Sequence, residues 1–151
     1  MNEKQETGGQ DSWNVALHDR YIRDLSFENP GAPATPDRND LRFDVSVQVD
    51  SRQRDDLYEV LLTVEATAFH GTAIVFIVEL SYAGLFELTG LDEEPRQRFL
   101  FCEAQRILFP WVDRIVADLT RDGGLPQMNL SPPDFAALYE RQWTGAQEAR
   151  P

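Results

Sequence analysis

Residues 74–88, IVFIVELSYAGLFEL, constrain the fold of this chain more than any other stretch. Even positions carry Ile74, Phe76, Val78, Leu80, Tyr82, Gly84, Phe86 and Leu88, almost all apolar. Odd positions carry Val75, Ile77, Glu79, Ser81, Ala83, Leu85 and Glu87, a mixed set. Alternation of this kind predicts a β-strand with one face committed to a core or an interface. The run exceeds the ordinary strand of about five or six residues. Gly84 marks an expected bend or bulge within it. So long an apolar strand is a risk for a lone small domain and calls for cover from something else, such as a second copy of the chain.

The flanking sequence supplies further strands and then helices. Odd positions from Trp13 to Phe27 are mostly apolar and alternate with polar ones, which predicts a first strand with one buried face, interrupted near Asp19. Residues 29–39, rich in proline, break it. Leu41, Phe43, Val45, Val47 and Val49 alternate with Arg42, Asp44, Ser46, Gln48 and Asp50, the mark of an antiparallel strand with one wet face. A charged hairpin loop is expected over 51–56, a third strand over 57–69, and a turn at Gly71-Thr72. After Thr89-Gly90 the period changes to that of a helix. Glu93, Glu94 and Pro95 open it, and Phe101, Ala104, Leu108, Trp111, Ile115 and Leu119 form its stripe. Pro110 predicts a kink or break inside this run, and Gly123-Gly124 a stop. An apolar crossover at 125–130 follows, then a last helix capped by Ser131 with Pro132 in its first turn. Strands first and helices after predict an α+β fold, an antiparallel sheet with helices on one side. Residues 1–12 read as a disordered arm, 13–144 as one domain and 145–151 as a flexible tail.

Composition excludes some functions. Twenty-six acidic residues against 14 basic ones leave a net charge of -12, unsuited to a phosphate backbone and suited to a basic partner, or simply to the solubility of a protein with apolar surface. One cysteine, Cys102, forms no intrachain disulfide and reads as a buried structural thiol. His18 and His70 stand at no metal-ligand spacing and read as surface or turn residues. No catalytic set, metal site or cofactor is expected, and neither a membrane span nor a signal peptide. A cytoplasmic protein is the expectation.

Two surface features remain. Asp24 and Glu28 share one face of the first strand, roughly 13 Å apart. With Glu79 and Ile77 they make an acidic strip with an apolar centre, or else an ordinary solvated face. The crossover and last helix, with Leu125, Met128, Leu130, Phe135, Leu138 and Tyr139, carry more apolar side chains than a short helix needs. They line a groove for extended apolar segments, or else close the domain's own core or an oligomer interface.

Several motifs together resemble the SecB family of bacterial export chaperones. They are YIRDLSFENPGAP at 21–33, DDLYEV at 55–60, the strand at 76–86, ILFPW at 107–111 and LPQMNLSPPDFAALY at 125–139. The resemblance runs from about residue 13 to 143. It implies a four-stranded antiparallel sheet with helices packed on one side, assembled as a homotetramer, a dimer of dimers. It implies ATP-independent holding of unfolded precursor proteins and their delivery to the SecA motor ATPase. Asp24, Glu28, Ile77 and Glu79 match the family's SecA-contact positions, with Ile77 in place of a leucine. Phe76, Val78, Leu80 and Tyr82 match positions tied to assembly, with Tyr82 where the family has glutamine. A SecB-like chaperone of a toxin–antitoxin system, and a small-molecule-binding α+β domain, are the alternatives.

Overall fold

The computed structural model describes residues 12–34 and 36–148, with side chains described as far as Gln142. The arm expected over 1–12 lies, but for Ser12, outside the described residues. Four strands, β1 (Asn14–Glu28), β2 (Arg42–Arg54), β3 (Leu57–His70) and β4 (Ala73–Thr89), form one antiparallel sheet in the order β1-β4-β3-β2. The long apolar strand is therefore central, hydrogen-bonded on both edges. The hairpin between β2 and β3 is tighter than expected. Only Asp55 and Asp56 join the strands, with Asp55 at φ 57°, the left-handed conformation that a two-residue turn requires.

Strand β1 departs most from simple alternation. Its register against β4 shifts between Leu17 and Asp19 and again between Ile22 and Asp24, so His18 and Arg23 are the extra residues of two β-bulges. Each bulge turns the following side chains to the opposite face. Val15 and Leu17 face the helices, Asp19 and Tyr21 face away, and Leu25 and Phe27 face the helices again. Two shifts cancel, which is why the ends of the strand keep the odd-position pattern while its middle inverts.

Helix α1 (Glu93–Arg98) opens with Glu93 and Glu94 in its first turn and leads through one wide turn, Phe99–Glu103, into helix α2 (Ala104–Asp122). No break falls at Pro110. Pro110 and Arg106 both lie on the exposed side of the helix, where a carbonyl left free by the missing N–H costs least. Leu108, Val112 and Val116 are fully buried against the sheet, each worth about 1.5–3 kcal/mol. Trp111, Ile115 and Leu119 of the expected stripe are only partly buried at its flank. Gly84 causes no register shift in β4. It admits α2 instead: a Cβ there would lie 2.9 Å from Leu108 Cδ2. Helix α2 ends at Gly123, with Gly124 at φ 75° and Leu125 N–H donating to the Thr120 carbonyl at 2.9 Å, a Schellman closure.

Helix α3 (Phe135–Glu148) starts later than expected. Asp134, not Ser131, caps it, accepting the Ala137 N–H on Oδ1 at 3.1 Å. Pro132 precedes Pro133, and a residue before proline is held out of the helical region. The backbone stays helical past Gly145, where a tail was expected, to Glu148. Cys102 is buried, as expected, and burial pushes its thiol pKa up.

Candidate functional site

The sheet has a helix-covered face and an open face, and the two carry different chemistry. On the open face the register sets Ser26 opposite Glu79 and Glu28 opposite Ile77, with Asp24 opposite Ser81. On the other side of β4, Glu65 stands opposite Glu79 and Thr67 opposite Ile77. Asp24, Glu28, Ile77 and Glu79, expected to work together, therefore share one surface across two adjacent strands. Ile77 is half-buried at its centre, and the three carboxylates are exposed. Among the described residues no ion pair engages Asp24, Glu28, Glu65 or Glu79. Like charges directly opposite each other, as at Glu65 and Glu79, weaken a sheet. Their juxtaposition suits a surface that meets positive charge.

Beside this strip lies a buried charge that sequence reasoning did not single out. Glu59 on β3 sits on the open face, yet its side chain is 0% exposed. Tyr21 Oη donates to its Oε2 at 2.6 Å, and Arg23 Nη1 to the same oxygen at 2.5 Å. Arg54 Nε donates to Oε1 at 3.1 Å. Burial alone would raise the carboxyl pKa. The hydrogen bonds from Tyr21 and Arg54, with the charges of Arg23 and Arg54, outweigh it and hold the pKa below the ordinary value. Burial, then the bond to Glu59, raises the Tyr21 pKa. In the sequence Glu59 falls inside the DDLYEV motif, but its place in an alternating strand reads as one more exposed polar residue, and nothing there marks its burial.

The other face carries an apolar groove of about 280 Å³ between β2 and the crossover. Phe43, Val45 and Val47 form one wall, and Phe109, Met128 and Leu130 the other. Val45 is 47% exposed because no helix covers this edge of the sheet. The crossover is held by helix side chains. Met128 N–H donates to Thr120 Oγ1 at 3.0 Å and Leu130 N–H to Asp113 Oδ1 at 2.7 Å. Of the expected groove residues, only Met128 and Leu130 line it. Leu125 and Phe135 are core residues, Leu138 packs on the core, and Tyr139 is buried with its ring stacked on Phe101. The walls from β2 were legible only as the dry side of an alternating strand. That no helix would lie over them was not.

Phe76, Val78, Leu80 and Tyr82, expected at an oligomer interface, lie in the chain's own core at 3% exposure or less. Their side chains form no surface, because α2 and the crossover cover them. Arg20 donates to Tyr82 Oη at 2.8 Å and lies 4.1 Å over the ring of Trp111 on α2. Beyond that contact Ile22, Leu25 and Ile107 remain exposed. No described helix is long and apolar enough to cross a membrane.

The chain is thus an α+β domain with an acidic open sheet face and an apolar groove on the helix side. Comparison with known proteins gives the particular family. The family model described as preprotein translocase subunit SecB matches residues 8–146. The protein-export protein SecB of Maricaulis maris is 46% identical over 135 residues, 87% of this chain and 78% of that protein. That of Rhizorhabdus wittichii is 44% identical over 141 residues, 90% of this chain and 84% of that protein. This chain belongs to the SecB family. Its fold is similar to that of a Mycobacterium tuberculosis SecB-like chaperone solved in complex with an antitoxin peptide, at a TM-score of 0.68 and 17% identity, over 79% of this chain and 90% of that one.

Proposed function

We propose that this protein is an ATP-independent, cytoplasmic export chaperone that binds unfolded precursor proteins and passes them to the SecA motor ATPase. The observation that carries the reading is the separation of two surfaces within one chain. The groove walled by Val45, Met128 and Leu130 offers apolar contact without a closed end. It suits extended segments of many sequences, because burial of apolar area is non-directional. The strip of Asp24, Glu28, Ile77 and Glu79 lies on the opposite face of the sheet, so a basic SecA surface can dock while a client is held. Its charge accelerates encounter and weakens with salt.

The same layout supports assembly as a dimer of dimers. Strand β1 is a sheet edge, and Ile22, Leu25 and Ile107 are exposed beside it and on α2. A second copy that covers them extends the groove and the acidic face into larger surfaces. The antitoxin-bound chaperone shares the fold at low identity and does not favour a toxin–antitoxin role for this chain. The test is aggregation of an unfolded precursor, followed by light scattering. Suppression near equimolar chaperone is expected, and its absence would sink the proposal.

A further inference from the structure

Asp24 owes its place on the open face to the bulge at Arg23. Were Arg23 paired in the ladder instead of bulged, Asp24 would pair with Leu80 and face the helices, and Ser26 and Glu28 would turn with it. The bulge is a local interruption of the ladder, and something has to hold it in one conformation. Glu59, the only fully buried carboxylate among the described residues, lies on this face two strands away and receives donors from both Tyr21 and Arg23. Tyr21 pairs with Ala83, whose small side chain lets the ring cross β4 to β3. Arg54, the third donor, comes from β2, the edge strand opposite β1.

Resting on the SecA-docking reading above, we propose that Glu59, gripping β1 through Tyr21 and Arg23, is a positioning residue that locks the second bulge and so presents Asp24, Ser26 and Glu28 to the basic partner. The two explanations of Arg23 differ in sign. Arg23 is a positive charge beside an acidic strip. If it acted only through its charge, removing it would tighten binding to a basic surface. If it acts by holding the bulge, removing it loosens Asp24 and weakens binding.

The experiment compares SecA affinity of the assembled protein for Tyr21→Phe/Arg23→Gln, Arg54→Gln, Arg23→Lys and the strip variant Asp24→Asn/Glu79→Gln. Melting temperature and client binding serve as folding controls. Tyr21→Phe/Arg23→Gln is expected to bind SecA roughly tenfold more weakly, about 1.4 kcal/mol, despite the lost positive charge. Amide exchange at Asp24 and Leu25 is expected to speed up in the same variant. Arg54→Gln removes the same charge from the same carboxylate at the edge strand opposite β1, and is expected to stay within about twofold of the parent. Arg23→Lys, which keeps a donor and a charge, restores most of the affinity. Equal or tighter binding by Tyr21→Phe/Arg23→Gln, with the strip variant weakened, overturns the positioning role and leaves the docking reading standing. Unchanged binding by the strip variant overturns the docking reading and the inference with it.

Discussion

Replacing Val45 by aspartate separates the groove from the core most cleanly. Val45 lies on the helix-facing side of β2 but is 47% exposed, so about half of its side chain remains to be covered by a bound segment. Full burial of a valine is worth at least about 1.5 kcal/mol, so the bound segment gains on the order of 1 kcal/mol from this side chain. Aspartate forfeits that and brings a polar group into the contact, costing roughly 1–3 kcal/mol more. Loss of about 2–4 kcal/mol lowers the affinity of a short apolar peptide by roughly thirty-fold or more. The assay is fluorescence anisotropy with one labelled peptide too short to reach a second groove. Val45→Thr, equal in shape and strand preference, is expected to fall between, near fivefold. Folding stability is expected to change by no more than about 1 kcal/mol in either variant, since an exposed edge position contributes little. Unchanged peptide affinity in Val45→Asp, with SecA binding intact, would refute the placement of the groove.

Other consequences follow from packing and charge. Gly84→Ala puts a methyl 2.9 Å from Leu108 Cδ2, and is expected to destabilise the fold by about 1–3 kcal/mol in urea denaturation because α2 must give way. Thr120→Val leaves the Met128 N–H without its acceptor, at a cost of about 1–3 kcal/mol, with faster amide exchange across the crossover. Glu59 has a folded pKa below its unfolded value, so its contribution is present above the ordinary carboxylate range near 4.3 and is lost as pH falls through the folded pKa. Denaturation midpoints measured from neutral pH down to about pH 3 are therefore expected to fall more steeply for the parent than for Glu59→Gln.

Much of this architecture was legible because alternation and helical spacing are strong signals in long elements. Leu41 to Val49 alternate without exception, and a strand forms over that pattern from Arg42, running on to Arg54 through most of the loop expected at 51–56. The face inversion in β1 was not legible. Two one-residue bulges cancel, so the pattern reads through them, and only pairing with β4 reveals that Tyr21 and Asp24 share the open face. The late start of α3 follows from Pro132-Pro133, a local rule that the attractive cap at Ser131 concealed. Site residues divide in the same way. Asp24, Glu28, Ile77 and Glu79 came from a resemblance in sequence, and the register brings them together. The groove residues were chosen for apolar character, which core and groove share, and so Leu125, Phe135 and Tyr139 proved to be core. Phe76, Val78, Leu80 and Tyr82 were expected at an interface and are enclosed, because a central strand under helices has no surface on that face.

The separation of the two surfaces is tested most directly by reversing charge at Asp24 and Glu79 together. The double variant Asp24→Lys/Glu79→Lys is titrated with SecA and, separately, with an unfolded precursor. SecA binding is expected to weaken at least tenfold at low salt, with precursor affinity unchanged. Equal SecA affinity in parent and variant, or a parallel loss of both, would contradict the account.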